Sequence, residues 1–492
     1  MFFIYLTSGL FLGWSLGAND AANIYGTAVG SKMVKFKTAA ILASVFILLG
    51  AVIGGAGAAH TLGKLGAVNA IAGSFTVAFA AALTVAWMTK LKLPVSTSQS
   101  VVGAIIGWNF FTNSITDYNS LTKIMLSWVA SPLIAATIAV IVFKLTEKII
   151  EKSSIHIITQ DMFTRIGLIV VGAMASYSLG ANNIANVMGV FVDVSPFKDV
   201  SIFNLFTLSN VQILFLFGAT AIGVGVFTYS KKVMMTVGDG LVKLSPIAAL
   251  IVVLSQAIVL FLFSSEGLEH WLYSHGLPTI PLVPVSSSQT VIGAVIGIGL
   301  AKGGRNIKYG TLGKIASGWV STPVIAGLVS FTTLFFIQNV FQQKVHNPIN
   351  YQLTNEALSI LKDKDIKSQK LLENLGKIVD KNYDNAVKLE NALSSITKNY
   401  NLKLKLIEYS RVYNIKVDYK KLKAIKDINY TKKELKAIKD LDANTYTYKW
   451  QFYRDISKIG NAWKLKEKTI ENKIYNKKLK KKLKFLYRVF KK

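Results

Sequence analysis

The stretch that decides the fold reads Gly17-Ala18-Asn19-Asp20-Ala21-Ala22-Asn23, and it returns as Gly180-Ala181-Asn182-Asn183-Ile184-Ala185-Asn186. Two further pairs follow in the same order: Pro94-Val95-Ser96-Thr97-Ser98-Gln99 with Pro284-Val285-Ser286-Ser287-Ser288-Gln289, and Trp128-Val129-Ala130-Ser131-Pro132 with Trp319-Val320-Ser321-Thr322-Pro323. Three paired motifs in one order indicate that residues 1–340 are an internal duplication.

Long apolar segments surround these motifs. They run to about twenty residues, the length that a helix needs to cross a hydrocarbon core of ~30 Å. Residues 1–340 contain only ten Asp or Glu. Apolar windows predict ten segments, at 2–18, 38–59, 66–89, 93–112, 122–143, 163–180, 202–228, 245–264, 280–300 and 312–339. The sequence therefore predicts an all-α, multi-pass integral membrane protein.

Each copy of the duplication carries five segments. Residues 1–160 form the first membrane repeat and residues 161–340 the second. Because five is odd, the second repeat is expected to enter the membrane with the opposite orientation, which makes an inverted repeat. Loops on one side carry sixteen Lys or Arg against three on the other, which marks the first side as cytoplasmic in the cell (inner) membrane. Carriers with this symmetry bind substrate near the midplane, at broken helices.

The Gly-Ala-Asn motifs place amides and one carboxylate inside apolar segments. Asn and Asp side chains compete for backbone hydrogen bonds, so helix breaks are predicted near residues 17–20 and 180–183. Carbonyl and carboxylate oxygens are hard ligands that suit alkali cations. A sodium site is therefore predicted from Asn19, Asp20, Asn23, Asn182, Asn183 and Asn186. The competing interpretation is that the Asn side chains only join helices through hydrogen bonds.

The Pro-Val-Ser segments are typical of a helix start. Proline fits the first turn, and the free N–H groups and dipole of a helix N-terminus attract anions. Two such ends that converge would form a pocket for a tetrahedral oxyanion. Its predicted ligands are Ser96, Thr97, Ser98, Gln99, Ser286, Ser287, Ser288 and Gln289. The competing interpretation is hydroxyl capping combined with glycine-mediated helix packing.

Together, the duplicated Gly-Ala-Asn-Asp-x-Ala-Asn and Pro-Val-Ser-Thr motifs resemble the inorganic phosphate transporter (PiT) family of ion-coupled symporters. The resemblance covers residues 1–340. It implies phosphate uptake driven by a sodium or proton gradient, helical hairpins, a homodimer, and the two residue sets above as cation and phosphate ligands. The sequence departs from the family at Asn183, where Asp is usual, at Gln99 and Gln289, where many members have His, and at Ile47, where an acid is frequent.

Several functions stay open at this point. Sodium is favoured over the proton because Asp20 is the only carboxylate, and no His is, predicted within the membrane, so a proton relay has few candidates. Hydrogen phosphate carries a proton that needs an acceptor such as Asp20, whereas sulfate needs donors only. The alternatives to phosphate symport are a sulfate permease of the same fold and an uncoupled anion channel or receptor. No membrane-embedded set of acid, base and nucleophile is found, so neither an enzyme nor a cofactor is predicted.

The remaining region, residues 341–492, has a different composition. It contains 37 Lys or Arg against 16 Asp or Glu. We predict a Lys-rich, mainly helical appendage. Its last sixteen residues, 477–492, are a basic run with interspersed Leu and Phe, which could lie on anionic lipid or be solvated. Nucleic acid is not favoured as a partner, because basic charge alone is weak evidence for it.

Overall fold

The structure is a computed structural model that describes residues 2–491 except 67, 92–94, 154, 203–205, 238–243, 305–308, 363–365, 367, 424–429, 468, 470 and 471. The chain divides into two compact units. The first, here called the membrane unit, contains Met1–Thr112, Thr116–Leu272 and Pro278–His346. The second, here called the C-terminal unit, contains Asn113–Ile115, Tyr273–Leu277 and Asn347–Lys492.

Helices dominate the first 340 residues. In the described part of that region they are α1 (Phe2–Gly30), α2 (Phe36–Gly54), α3 (Ala56–Leu65), α4 (Ile71–Lys90), α5 (Thr97–Thr112), α6 (Tyr118–Lys152), α7 (Ile157–Met188), α8 (Asn210–Thr228), α9 (Ser230–Val237), α10 (Pro246–Ser264), α11 (Glu266–Ser274), α12 (Ser287–Ala301) and α13 (Tyr309–Asn339). A 3₁₀ turn (Gly189–Phe191) follows α7. One antiparallel hairpin joins β1 (Val200–Ile202) to β2 (Phe206–Leu208).

The helices bear out the predicted membrane architecture. Among the described residues, seven are long and apolar enough to cross a bilayer, namely α2, α4, α6, α7, α8, α10 and α13. The other three predicted segments correspond to α1, α5 and α12. Helices α5 and α12 have 16 and 15 residues, fewer than the ~20 of a full crossing. The mainly helical, multi-pass membrane class predicted from the sequence is confirmed.

The predicted helix breaks at residues 17–20 and 180–183 are wrong. Helix α1 runs unbroken through the first motif, and α7 runs unbroken through the second. The glycines are contact points instead. A Cβ on Gly17 would lie 2.0 Å from the Ile222 carbonyl oxygen, and one on Gly180 would lie 2.1 Å from that of Ile47. Close approach of two helix backbones, rather than unwinding, explains why these positions are glycine.

Each half of the membrane unit packs on the other in equivalent pairs. Helix α2 packs against α7, and its counterpart α8 packs against α1. In the same way, α5 packs against α13 while α12 packs against α6. The paired motifs therefore lie on helices that contact the opposite half. The opposite orientation of the two halves in the bilayer stays a prediction.

The C-terminal unit combines short helices with two small sheets. Its described elements are β3 (Tyr351–Gln352), α14 (Asn355–Lys362), α15 (Gln369–Gly376), β4 (Asn382–Tyr383), α16 (Ala386–Ser394), α17 (Tyr400–Ser410), β5 (Ile415–Lys416), α18 (Tyr419–Lys423), α19 (Lys432–Lys439), β6 (Thr445–Tyr446), α20 (Lys449–Ile459), a 3₁₀ turn (Asn461–Trp463) and α21 (Asn472–Phe490). Strand β3 pairs with β4, and β5 pairs with β6. The unit has its own hydrophobic core in two clusters.

The last helix, α21, turns its apolar face into that core. Leu479, Leu483, Leu486 and Phe490 are buried in one of the two clusters, and Phe485 packs against it. The apolar residues that suggested a lipid-facing helix are therefore already covered by protein. The structure favours the solvated-appendage interpretation of this basic run.

Candidate functional site

Four helix segments carry the residues predicted to bind ions. Helix α1 presents its Gly-Ala-Asn motif in mid-helix, α7 presents the second copy in its last two turns, and the N-termini of α5 and α12 present the Pro-Val-Ser motifs. Thirteen of the fourteen predicted residues are buried, and Asn23 is half-buried. Pro94 lies outside the described residues. So many buried polar side chains need partners, because burial of an unpaired polar group is costly.

The Gly-Ala-Asn motif of each half of the membrane unit forms hydrogen bonds with the Pro-Val-Ser motif of the other half. Ser287, at the start of α12, donates a hydrogen bond from Oγ to Asp20 Oδ2 on α1 at 2.7 Å. Asn23 Nδ2, one turn along α1, donates to Ser288 Oγ at 3.3 Å. The equivalent contact of the other half runs from Asn186 Nδ2 to Ser98 Oγ at 2.8 Å. Each Gly-Ala-Asn motif therefore contacts the hydroxyl segment of the opposite repeat.

The two hydroxyl segments also hold each other. Ser98 Oγ donates to the Val285 carbonyl oxygen at 3.1 Å, and Ser288 Oγ donates to the Val95 carbonyl oxygen at 3.1 Å. This reciprocal pair brings the N-termini of α5 and α12 together, which is the condition that the predicted oxyanion pocket requires. Two helix dipoles with free N–H groups thus point into one buried polar region.

Three further predicted ligands, Ser96, Ser286 and Asn182, have backbone partners that stabilise the local structure. Ser96 Oγ accepts from the Gln99 backbone N–H at 3.3 Å, and Ser286 Oγ accepts from that of Gln289 at 3.2 Å. These are N-cap bonds that stabilise the starts of α5 and α12. Asn182 Oδ1 accepts from the Val285 N–H at 3.1 Å, and its Nδ2 donates to the Val283 carbonyl at 3.3 Å. Asn182 therefore fixes the extended chain that leads into α12.

The remaining residues leave five buried polar atoms without a hydrogen-bond partner in the described chain. They are Thr97 Oγ1, Gln99 Oε1, Asn183 Nδ2, Asn186 Oδ1 and Gln289 Oε1. Each unpaired buried group costs roughly 1–3 kcal/mol. Native proteins keep few such groups, and a cluster of them indicates a place where a polar ligand binds.

The two halves of the site are chemically unequal. Asp20 bonds to Ser287, whereas its counterpart Asn183 and the Ser287 counterpart Thr97 each retain an unpaired atom. Asn183 instead accepts from Asn186 Nδ2 at 2.8 Å through Oδ1. Asp20 is the one charged side chain among the fourteen residues. No group of three or more His, Asp or Glu side chains occurs among the described residues, so a cation here would meet mostly neutral oxygen ligands.

One further candidate, Gln256 in α10, was not predicted from the sequence. It is fully buried, and neither its Oε1 nor its Nε2 has a hydrogen-bond partner in the described structure. Helix α10 packs against α7 and α12, which carry the second half of the site. The sequence did contain an indication of this residue, because an amide side chain lies inside the apolar run at 245–264. Burying such a polar side chain in the membrane costs free energy, so it usually serves a function.

Comparison with known proteins shows the family of the chain. The model of the phosphate transporter family matches residues 16–269 and 277–482. A candidate phosphate permease of Methanocaldococcus jannaschii is 28% identical over 327 residues, which cover 66% of this chain and 94% of that protein. One from Thermococcus kodakarensis is 28% identical, with 66% and 95% covered, and one from Haemophilus influenzae is 25% identical, with 68% and 96% covered.

A solved structure shares the fold. "The sodium-dependent phosphate transporter" aligns with a TM-score of 0.56 and 23% identity, and the match covers 68% of this chain and 98% of that chain. The family and the apolar helices make the chain a multi-pass membrane transporter rather than an enzyme. The resemblance noted in the duplicated motifs is confirmed, and the chain belongs to the phosphate transporter family.

Proposed function

We propose that the chain is a secondary active transporter that takes up inorganic phosphate by symport with a cation, with Na⁺ favoured over H⁺. The observation that carries this proposal is the 2.7 Å hydrogen bond from Ser287 Oγ to Asp20 Oδ2. It joins the cation motif of one repeat to the anion segment of the other. A direct bond of this kind can link the binding of the two ions.

The link follows from the hydrogen-bond capacity of a hydroxyl group. Serine has one O–H to donate, and Ser287 donates it to Asp20. For that O–H to reach a phosphate oxygen, Asp20 must give it up, which is easiest when a cation compensates the carboxylate charge. Cation binding therefore raises the affinity for the anion, and by linkage the anion raises the affinity for the cation.

The other predicted residues fit the same division of roles. We assign the cation to Asp20 and to the amide oxygens of Asn19, Asn23, Asn183 and Asn186, with Asn182 chiefly positioning the α12 entry. We assign the phosphate to Thr97, Ser98, Gln99, Ser287, Ser288 and Gln289 at the two helix N-termini, with Ser96 and Ser286 as their caps. A dianion is favoured there by converging dipoles and hydroxyl donors without a buried Lys or Arg.

Phosphate is preferred to sulfate because the site offers acceptors. Gln99 Oε1 and Gln289 Oε1 are buried without donors in the described structure. The proton of hydrogen phosphate needs such an acceptor, whereas sulfate has no proton to give. Sulfate transport is the alternative, and it would leave these oxygens unpaired.

Sodium is preferred to the proton because the ligands are mainly neutral oxygens, which suit a hard monovalent cation. The name of the solved structure with the same fold, a sodium-dependent phosphate transporter, supports the same choice. We further propose that the chain works as a homodimer in the cell (inner) membrane. Chemical cross-linking in native membranes, followed by measurement of the mass of the products, tests the dimer. A product with the mass of one chain alone would contradict it.

The decisive experiment is radiolabelled phosphate uptake into proteoliposomes. We expect accumulation with an inward sodium gradient at equal pH on both sides, and little without sodium under an inward proton gradient. Unlabelled sulfate in excess should compete weakly. Phosphate uptake that depends on neither gradient would indicate an uncoupled channel. Efficient competition by sulfate would indicate that sulfate, rather than phosphate, is the substrate.

Replacing Ser287 with Ala is expected to weaken phosphate uptake and to uncouple it from sodium. The KM for phosphate should rise about 10- to 150-fold, since a hydrogen bond to a charged group contributes roughly 1.5–3 kcal/mol. The KM for phosphate should also depend less on the sodium concentration than in the parent protein, because the hydrogen bond between the proposed cation ligand Asp20 and the phosphate-binding segment is lost. Initial uptake rates over a grid of sodium and phosphate concentrations measure both effects.

The matched control is Thr97→Ala, the equivalent substitution in the other repeat. Thr97 Oγ1 makes no hydrogen bond to a protein group in the described structure. This variant should raise the KM for phosphate but keep its sodium dependence. Equal sodium dependence in the Ser287 variant and the control would contradict the proposed coupling.

A further inference from the structure

The C-terminal unit is built from two copies of one module. In each copy a two-residue strand leads through two helices to a second strand that pairs with it, β3 with β4 and β5 with β6. The first strand also pairs with a residue after the last helix, Tyr351 with Arg411 and Ile415 with Lys491. The first module therefore spans residues 351–411 and the second spans residues 415–491.

Finer backbone details repeat as well. Asp380 and Ala443, just before the second strands, both have a positive φ, of 57° and 67°. The N–H of Asp380 donates to the Leu353 carbonyl at 2.8 Å, and that of Ala443 donates to the Val417 carbonyl at 3.1 Å. A shared left-handed residue with the same bond is unusual for non-glycine residues. Arg411 and Lys491 thus occupy equivalent positions in two related modules.

A cleft of about 560 Å³ lies where the modules join. Its walls are residues 347–350, the joining segment 411–415, residues 445–447 and Lys491. Backbone hydrogen bonds hold these segments together: Val412 N–H donates to the Asn350 carbonyl at 3.0 Å, and Tyr413 N–H donates to the Thr447 carbonyl at 2.8 Å. The volume falls in the range of roughly 300–1,000 Å³ that is typical of small-molecule sites.

The charge of the cleft is positive and uncompensated. Arg411 and Lys491 line it, and no Asp or Glu does among the described residues. The Arg411 Nε is buried and makes no hydrogen bond to a described protein group. The guanidinium lies 4.8 Å from the Tyr413 ring centroid, and Lys449 Nζ lies 3.8 Å from the same ring. Three cationic groups therefore lie at the joining segment, and a buried N–H of a half-buried guanidinium is costly to leave without an acceptor, a role that an anion can fill.

We propose that this cleft binds a phosphorylated small molecule of about nucleotide size. Arginine is suited to a phosphate group because its planar donors can bond two oxygens at once, and Lys491 supplies a second positive charge from the other module. The cleft is much larger than one phosphate ion needs, so an organic phosphate fills it better. The lining residues all belong to the C-terminal unit, so this site shares no residue with the proposed transport site.

The test uses the purified full chain in detergent with excess inorganic phosphate present, so that the transport site is saturated. Binding of ATP, glucose 6-phosphate and adenosine is measured by calorimetry. We expect at least one of the two organic phosphates to bind and adenosine not to bind. The Lys491→Ala and Arg411→Ala variants should each weaken that binding about tenfold or more, because each removes a charged hydrogen-bond donor.

Two comparisons keep the result interpretable. Lys491 is exposed, so its variant is expected to keep the parental melting temperature even if the Arg411 variant does not. Lys388→Ala is the matched control, since Lys388 is an exposed lysine that pairs with Asp384 away from the cleft. Failure of both organic phosphates to bind, equal binding of adenosine, or unchanged binding in the Lys491 variant would each overturn the proposal.

Discussion

Replacing Asp20 with Asn is expected to abolish sodium-driven phosphate uptake. The substitution removes the one negative charge among the fourteen site residues and replaces a charged hydrogen-bond acceptor of the Ser287 hydroxyl with a neutral one. The bound cation then has no negative charge beside it, so it binds more weakly. Cation binding can also no longer release the Ser287 hydroxyl for phosphate. Uptake at a fixed sodium gradient should fall by about two orders of magnitude, since a bond to a charge contributes up to roughly 3 kcal/mol. Proteoliposomes with equal amounts of protein measure this effect.

The internal duplication supplies an informative control. Asn183 occupies the position equivalent to Asp20, and Thr97 stands where Ser287 stands. The Asn183→Asp variant is expected to retain uptake. The double variant Asp20→Asn with Asn183→Asp should recover part of the lost transport, because a hydroxyl with an unpaired oxygen, Thr97 Oγ1, lies in the corresponding segment. Near-normal transport by Asp20→Asn alone would exclude Asp20 as the cation ligand.

Replacing Gly17 or Gly180 with Ala should prevent proper folding. The added Cβ would lie 2.0 Å from the Ile222 carbonyl oxygen or 2.1 Å from the Ile47 carbonyl oxygen, so two helix backbones must separate. Overpacking of this kind costs about 1–3 kcal/mol and occasionally more, and contact with backbone rather than a flexible side chain puts both positions at the upper end. The expected result is loss of the monodisperse peak in detergent and a lower melting temperature.

The control for this prediction is Gly313→Ala in α13. No atom outside its own helix lies within 4 Å of a Cβ placed there. Alanine also favours a helix over glycine by about 1 kcal/mol, so this variant should be as stable as the parent or more so. A similar loss in all three variants would mean that helix packing at Gly17 and Gly180 is not the cause.

Much of the membrane unit could be predicted from periodic apolar runs and paired motifs. The segments correspond to ten helices because hydrophobic length alone specifies a crossing. Pro284 and the hydroxyls after it correctly predicted a helix that begins beside them, since proline and a capping serine act within one turn. The sequence suggested a pocket on the condition that the starts of α5 and α12 converge, and the reciprocal bonds of Ser98 and Ser288 meet that condition.

The continuous course of α1 and α7 could not be predicted in this way. Glycine and asparagine weaken a helix locally. Here, however, Asn side chains form hydrogen bonds to other helices, and the glycines pack against the backbone of a neighbouring helix. Tertiary contacts therefore overrode local propensity. The duplication of the C-terminal unit was also missed, because its modules share strand pairing and a left-handed residue rather than a readable sequence motif.

The difference between Asp20 and Asn183 also bears on the order of events in the ancestry of this chain. Each Gly-Ala-Asn motif contacts the hydroxyl segment of the opposite repeat, so an ancestor encoded as a single repeat would need two identical copies to make these contacts. Any substitution in such a pair appears in both copies at once. A carboxylate at one position and an amide at the other could arise only after the gene was duplicated, because the two copies could then change separately. Duplication thus gave the protein a freedom that a symmetric ancestor lacked, which is to set the charge at these two positions independently.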